Sequence, residues 1–412
     1  MSPAVVSVLA LLVAIAVSFA SRVNVGIIAI AMAWAVGVYD GKAAEAIVGG
    51  FPTSLFVTLA GVTLLFALAE ANGTIAQLAS RLTGLAGARA RLLPGMFFLI
   101  ACTLSTLGPG AVPAVALIAP LAFATAAPAG IPVFLTALMV ANGANAGNLS
   151  PVSAVGVIAN SRMASVGLGG HEWKVWAANF LAHLLVAMIA YGVLVRRIPA
   201  RDAAALEPPP PVTKSQWLTM GVVFGWVAAV LMISAPLGLS AFAAAVLLVV
   251  SGAADESLGL KGMPWSAILM VCGVAMLVTT AERAGGLELF TALLAKLATP
   301  ATLNGVIAFV TGVISSCSST SGVVLPTFLP TAPGLVHQVG GGDPLAVALS
   351  INVGASLVDV SPLSTIGALC VAAVAEPHAA RALFRRMLIW GLSMSLVGAL
   401  LCLAFAGWFA RL

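Results

Sequence analysis

Long apolar segments separated by short polar loops run through the whole chain and predict membrane-spanning α-helices. In the first half these segments are 4–20, 24–39, 52–70 and 173–195, and in the second half they are 215–234, 237–254, 264–281 and 380–410. The first three of each set stand at the start of their half and the fourth stands at its end. Most hold ~16–23 residues, close to the length that a helix needs to cross about 30 Å of hydrocarbon, and they lack the alternation typical of barrel strands. Amphipathic segments at 73–84 and 285–299 follow the third span of each half and predict helices lying along the membrane interface.

Two further apolar stretches in each half are interrupted by serine, glycine and proline. In 93–127 and 301–337 the arms are too short for a full crossing, so these stretches predict re-entrant hairpins with tips buried in protein. In 131–165 and 344–375 the interruptions fall at 142–153 and 352–364. These stretches predict helices broken at membrane depth, where transporters bind their substrates.

The second half repeats the order of the first. Segments 147–156 and 358–367 align on Ser150-Pro151 and Ser361-Pro362. The predicted fold is an all-α polytopic membrane protein of two repeats, 1–198 and 215–412, joined by a linker at 199–214. Each repeat has three transmembrane helices, an interfacial helix, a hairpin, a broken helix and a final helix. Five crossings are an odd number, so the second repeat is expected to be inverted.

Composition agrees with a lipid environment, since 61% of the residues are hydrophobic and only 8% are charged. The net charge of +5 comes from basic residues in short loops, which favours the positive-inside rule over a nucleic-acid partner. The larger share of Lys and Arg falls on the face of the linker. We therefore expect a bacterial-type inner membrane, a cytoplasmic linker, and both termini on the periplasmic or extracellular side. The five cysteines show no metal-ligand spacing, so no transition-metal site or cofactor is expected.

Oxygen-bearing side chains at the interruptions predict a cation site. Na⁺ is a hard cation that prefers carboxylate, amide, hydroxyl and carbonyl oxygens. The predicted cation-binding residues are Asn142, Asn145, Ser153, Asn352, Ser356, Asp359 and Thr365. Asp359 is the one acidic residue placed near mid-membrane, where a carboxylate is expected to carry Na⁺ or a proton. The alternative is that it caps the helix restarting at Ser361.

The hairpin tips and the Ser-Pro pairs predict an anion site. Ser150-Pro151 and Ser361-Pro362 have the pattern of an N-cap followed by the first helical residue, so helices are expected to restart there with free N–H groups. An anion in such a site is met by helix N-termini and by hydroxyl and amide donors. The predicted substrate-binding residues are Ser105, Thr106, Gly108, Gly110, Asn148, Ser150, Ser318, Ser319, Thr320, Ser321, Ser361 and Ser364.

The two hairpins and two broken helices resemble the ion-transporter superfamily, which includes the divalent-anion/sodium symporters. Within it, Gly108-Pro-Gly-Ala-Val-Pro113 and Asn142-Gly-Ala-Asn-Ala-Gly-Asn-Leu-Ser-Pro151 resemble the malonate/dicarboxylate carriers of the MatC type. The resemblance implies a small dicarboxylate such as malonate or a C4 acid, coupling to Na⁺ or H⁺, an elevator-like motion and a homodimer. The symporters' Ser-Asn-Thr signature is absent from both tips, so the coupling ion stays open between Na⁺ and H⁺.

Other functions remain as alternatives. Within transport, these are a cation/proton antiporter centred on Asp359 and the membrane subunit of a TRAP-type carrier, which depends on a binding protein. An enzyme is not expected, because no nucleophile–base pair or set of metal ligands lies at one depth. Two inverted repeats also favour alternating access over a passive channel.

Overall fold

The computed structural model describes residues 1–20, 23–84, 91–108, 110–127, 129–197, 211–233, 235–263, 265–316, 319–374 and 376–412. Ser318 and most of the predicted linker lie outside these residues. The helices are α1 (Pro3–Ala20), α2 (Val25–Tyr39), α3 (Ala44–Val48), α4 (Thr53–Ala71), α5 (Thr74–Gly84), α6 (Leu93–Thr106), α7 (Ala111–Ala126), α8 (Val133–Gly147), α9 (Ala154–Ala164), α10 (Glu172–Leu194), α11 (Lys214–Ile233), α12 (Leu237–Val250), α13 (Glu256–Gly262), α14 (Trp265–Arg283), α15 (Gly286–Ala295), α16 (Leu303–Ser315), α17 (Leu325–Phe328), α18 (Ala332–Val339), α19 (Pro344–Leu357), α20 (Thr365–Ala372) and α21 (Pro377–Arg411). Short 3₁₀ or π turns are present at Val195–Arg197, Thr320–Val324, Leu329–Thr331 and Val358–Val360.

The helix order of the second half repeats that of the first. The hairpin predicted at 93–127 consists of α6 and α7, and the one predicted at 301–337 consists of α16 and the segment from 320 through α18. Two short helices that the sequence pattern did not predict, α3 and α13, stand at equivalent places before the third helix of each half. Within the described residues the protein is all-helical, as predicted for a polytopic membrane protein.

Both breaks are shorter than the polar segments suggested. α8 continues to Gly147 and α19 to Leu357, so the unwound stretches are 148–153 and 358–364. Asn142 and Asn352 therefore lie inside helices. Their side-chain amides donate to the carbonyls one turn earlier, those of Leu138 at 2.9 Å and Ala348 at 3.0 Å. An asparagine that bonds its own helix in this way does not interrupt it.

Glycines bring helices of the two halves into backbone contact. A Cβ atom on Gly273 of α14 would lie 2.2 Å from the carbonyl oxygen of Gly26 in α2. A Cβ atom on Gly61 of α4 would lie 2.3 Å from the carbonyl oxygen of Gly238 in α12. Gly238 aligns with Gly26, and Gly273 with Gly61, so the two contacts are the same contact with the halves exchanged. Such an exchange is what a twofold relation between the repeats produces.

The hairpins, broken helices and last helices of both halves share one large apolar core. The first helices form separate clusters, with α1, α2 and α14 in one and α4, α11 and α12 in another. A fourth cluster joins α4 and α14 to α9. The part of the fold that carries the breaks therefore packs as one body against the first helices.

Three helical segments in the described residues are long and apolar enough to cross a bilayer on their own: Glu172–Leu194, Pro344–Val371 and His378–Arg411. The second of these runs through the second break and is almost wholly buried in protein. A bent pair, Ile268–Arg283 with Gly286–Leu293, gives a fourth if it is counted as one span, and its two helices meet at an angle of 93°. α2 and α12 are 15 and 14 residues long, shorter than the ~20 residues of a full crossing.

Candidate functional site

The first hairpin tip is hydrogen-bonded to the first break. The Ser150 hydroxyl donates to the carbonyl of Thr106 at 2.5 Å, and the Asn148 side-chain oxygen accepts from the N–H of Ala111 at 2.9 Å. The tip between α6 and α7 turns through Gly108 and Gly110, whose φ angles of 147° and 85° suit glycine. The backbone of the tip is thus fixed by side chains that the broken helix supplies.

The second tip meets the second break through oxygen atoms. The Ser315 hydroxyl donates to the carbonyl of Ala355 at 2.9 Å and lies 2.6 Å from the Thr320 hydroxyl. The Asp359 carboxylate lies close to the hydroxyls of Thr320 and Ser364, and the Ser364 hydroxyl donates to the main-chain carbonyl of Asp359. Asn148 and Asp359 stand at equivalent positions, so one break presents an amide to its tip and the other presents a carboxylate.

The helices restart three residues later than the Ser-Pro pairs predicted. α9 begins at Ala154 with Ser153 as its N-cap, and the Ser153 hydroxyl oxygen accepts from the N–H of Gly156 at 3.0 Å. α20 begins at Thr365 after Ser364. Ser153 and Ser364 also bond the carbonyls of Asn148 and Asp359, respectively, and so hold the two unwound turns in the same shape. The prediction that Ser150 and Ser361 are the N-caps was wrong, because Ser150 is engaged by the hairpin tip.

Each restarted helix packs against the hairpin of the other half. α9 contacts α17 and the turn Leu329–Thr331, whereas α20 contacts α7. The turn Val358–Val360 also contacts α8. The two breaks and two tips therefore lie together in the middle of the fold, although the chain places them far apart.

The oxygen atoms around Asp359 fit a hard cation or a proton. Asp359 is 9% exposed, and neither Thr320 nor Ser364 carries a charge. In the residues that the structure describes, no group of three or more His, Cys, Asp or Glu could hold a metal ion. A monovalent cation held by carboxylate and hydroxyl oxygens remains compatible with this set. Thr365, also predicted as a cation ligand, is exposed at the start of α20.

Other predicted cation ligands contact neighbouring helices rather than the hairpin tips. The side-chain oxygen of Asn142 accepts from Nδ1 of the His183 ring at 3.0 Å, and the main-chain carbonyl of Asn145 accepts from the Asn179 amide at 2.6 Å. These contacts form a polar ladder between α8 and α10. Asn352 instead lies against the Met163 sulfur.

The remaining predicted substrate residues cluster at the tips. Ser319 caps the turn after it by accepting from the N–H of Gly322 at 3.0 Å, and Ser361 accepts from the N–H of Leu363 at 3.3 Å. Ser105 is fully buried, and among the described residues its hydroxyl has no hydrogen-bond partner. Ser321 is half-buried beside Thr320.

Arg162 and Thr327 are two of the buried polar residues that were not predicted as site residues. Arg162 in the last turn of α9 is 8% exposed, and Thr327 on α17 is fully buried. A basic residue near a helix C-terminus is common on solvent-facing helices, so the pattern around Arg162 gave no sign of burial. Its burial follows from the packing of α9 against α4 and α14.

A cavity of about 240 Å³ lies between α10, α19 and α21, away from the breaks. Its lining is apolar and includes the well-exposed Leu181, Phe405 and Trp408. Such a groove on the outside of a membrane protein fits acyl chains better than a charged solute. The polar groups that could bind an anion lie at the tips and breaks.

Residues 1–148 match the family model described as the N-terminus of the dicarboxylate carrier protein MatC. The resemblance to MatC-type carriers is confirmed over these residues. The match includes the first hairpin and ends at Asn148, where the first break begins. No curated protein sequence matches the chain.

Among solved structures, the chain is similar to the crystal structure of the Alcanivorax borkumensis YdaH transporter, described as having an unusual topology. The TM-score is 0.59 at 18% identity, over 88% of this chain and 87% of that chain. At this identity the likeness shows the fold. Both comparisons are with a carrier or a transporter rather than with an enzyme. The protein is an all-α polytopic membrane protein.

Proposed function

We propose that the protein is a secondary active transporter of a small dicarboxylate, malonate or a C4 acid. The observation that carries the proposal is the meeting of two hairpin tips with two broken helices in the middle of the fold. The match of residues 1–148 to the MatC N-terminus supports the substrate class. Substrate carboxylates bind between the breaks, near Gly108, Gly110 and Ser319, where backbone N–H and hydroxyl groups are concentrated.

We propose that the coupling cation binds at the second break. Asp359 is buried among hydroxyls, and no Lys or Arg side chain lies within ion-pair distance of it in the described part of the chain. A carboxylate in such a place requires a proton or a cation. Loading that cation beside the anion site lowers the cost of carrying two negative charges through the membrane.

We propose alternating access of the elevator type, and a difference between the repeats supports it. α9 packs against α4 of the first helices, whereas the described contacts of α20 are with α7, α8 and α21. In the opposite state of the transporter the two halves exchange conformations. α20 then packs against α14, and α9 no longer packs against α4. Ala60 and Ile158 belong to the same buried cluster of α4 and α9. A cross-link between cysteines introduced in the contact of α4 with α9, in a background without native cysteines, is expected to arrest transport until it is reduced.

The proposal includes a homodimer in a bacterial-type inner membrane, with the linker in the cytoplasm. Ligand-induced stabilisation of the purified protein tests the substrate class. At a concentration 100 times the Kd, a ligand that binds only the folded state adds about 2.7 kcal/mol to its stability. Malonate or succinate is therefore expected to raise Tm in the presence of Na⁺ or at lowered pH, whereas acetate is not. Equal shifts with acetate contradict the dicarboxylate assignment.

The same protein distinguishes the two competing functions. Electroneutral cation exchange in the absence of any dicarboxylate supports an antiporter centred on Asp359. Dependence of uptake on an added periplasmic binding protein supports a TRAP-type membrane subunit. Uptake by the purified chain alone, driven by an ion gradient, supports the carrier.

A further inference from the structure

Arg162 is a buried cation, and no carboxylate of the described residues lies within ion-pair distance of it. The side chain is 8% exposed, and its Nε has no hydrogen-bond partner within the part of the chain that the structure describes. The ion pair found among those residues joins Lys42 to Asp40, far from α9 in the sequence. Arginine stays protonated in proteins, so burial does not remove this charge.

The surroundings of Arg162 supply little to balance the charge. The Cys272 thiol on α14 and the carboxylate of Glu282 lie near Arg162, but Glu282 is exposed and is beyond ion-pair distance. The short helix α17 packs against both α9 and α14. On α17, Thr327 is fully buried, and its hydroxyl is also without a partner among the described residues. Two hydrogen-bond donors without acceptors therefore belong to elements that meet at one junction.

A buried guanidinium without an anion is unfavourable, because losing its hydration costs several kcal/mol that only a close negative charge repays. Arginine also presents a planar fork that matches a carboxylate with two parallel hydrogen bonds. The missing partner at this junction is therefore an anion, and a carboxylate fits best.

We propose that Arg162 binds one carboxylate of the transported dicarboxylate while the dicarboxylate passes between the site at the tips and breaks and the junction of α9, α14 and α17. This inference rests on the proposed function. α9 has 11 residues and is about 16 Å long, and its first turn lies at the first break while Arg162 lies in its last turn. The helix thus offers N–H groups at the binding site and a guanidinium at the other end of the path. Thr327 donates a second hydrogen bond to the same anion.

A purely structural role for Arg162 makes the opposite prediction for stability. If the guanidinium holds α9 against α14, its replacement by an apolar side chain lowers Tm. If the guanidinium binds the substrate anion and is otherwise unpaired, replacing this buried charge by methionine leaves Tm unchanged or raises it. Kinetics and stability together therefore separate the two roles.

The test compares Arg162→Met, Arg162→Lys and Thr327→Val with Arg411→Met. Arg411 is an exposed residue at the end of α21 whose Nε bonds only the carbonyl of Gly407 in its own helix at 2.9 Å. Losing a charged hydrogen bond to the substrate is expected to raise KM for labelled succinate about tenfold or more in R162M. R162K is expected to recover part of that loss, T327V to raise KM several-fold, and R411M to match the unaltered protein.

Each result bears on a separate claim. A KM of R162M equal to that of R411M, or a fall in Tm of R162M without a change in KM, overturns the assignment of Arg162 alone. If R162M is not recovered as folded protein, R162K decides, and an unchanged KM in R162K overturns the assignment. Absence of gradient-driven succinate or malonate uptake by the unaltered protein overturns the proposed function, and with it this inference.

Discussion

The side-chain oxygen of Asn148 accepts a hydrogen bond from the N–H of Ala111 at 2.9 Å, and this contact joins the first broken helix to the first hairpin tip. Both residues are buried. Replacing Asn148 with alanine leaves the N–H of Ala111 without this acceptor, at a cost of about 1–3 kcal/mol. We expect N148A to lower Tm and to reduce the rate of transport, as measured by thermal unfolding and by uptake.

Asn160 provides a control on the same broken helix. Its side-chain Nδ2 is buried and lacks a partner among the described residues, so N160A removes no hydrogen bond from that nitrogen. We expect N160A to keep the Tm of the unaltered protein. A Tm equal in N148A and N160A would mean that the bond to Ala111 does not hold the tip.

The contact between α2 and α14 depends on glycine. A Cβ atom on Gly26 would lie 2.2 Å from the carbonyl oxygen of Leu269, so G26A forces the two helices apart. Overpacking of this kind costs about 1–3 kcal/mol. We expect a lowered Tm in G26A and no loss in G225A, since a Cβ on Gly225 of α11 meets nothing within 4 Å. Equal stability of the two variants contradicts the close packing of the halves.

The N-cap of α21 predicts a pH dependence of stability. The Glu376 carboxylate accepts from the N–H groups of His378 and Ala379, and these bonds lower the pKa of Glu376 from its ordinary value of 4.5. A carboxyl whose pKa is lower in the folded state stabilises the fold above the unfolded value, and this stabilisation is lost as pH falls through the folded value. We expect E376A to lower Tm at pH 7 and to lose less stability than the unaltered protein below pH 4.5.

The variant Glu376→Gln separates the charge from the cap. Its amide oxygen still accepts a hydrogen bond, so its Tm at pH 7 should fall between those of E376A and the unaltered protein. Melting curves at several pH values measure both effects. An identical acid-induced loss of Tm in E376A and the unaltered protein rules out this carboxylate as the cause.

Asp359 is expected to set the coupling ion. The asparagine of the variant Asp359→Asn would resemble a protonated aspartic acid but offers a cation no negative charge. If the coupling ion is H⁺, D359N keeps exchange of labelled for unlabelled malonate and loses accumulation against a gradient. If it is Na⁺, D359N loses both. Gradient-driven accumulation by D359N at the level of the unaltered protein removes Asp359 from the mechanism.

The order of the helices could be predicted from the sequence because each hairpin and break leaves a local signal. Glycine and proline interrupt an apolar stretch at a hairpin tip, and the pair Ser150-Pro151 recurs as Ser361-Pro362. These signals depend on backbone chemistry within a few residues, and the structure reproduces their order. The short helices α3 and α13 were not predicted, because they hold only five and seven residues and carry no long apolar pattern.

The details of the site could not be predicted, because tertiary contacts decide them. Ser150 and Ser153 are equally good N-cap residues by type, and the choice of Ser153 depends on the bond of Ser150 to Thr106 in another helix. The break was expected to begin at Asn142, yet that residue bonds the helix that contains it. The burial of Arg162 depends on α4 and α14, which local sequence does not reveal.

We propose that the two tips and two breaks form one site for a dicarboxylate that is moved together with a cation. Uptake of labelled malonate and succinate into proteoliposomes, with imposed Na⁺ or H⁺ gradients, tests it most directly. We expect the labelled acid to accumulate only when one of these gradients is imposed. Unlabelled dicarboxylate should reduce this accumulation, and acetate should not. Cation movement of the same size with and without dicarboxylate, and no accumulation of either acid under any gradient, would contradict it.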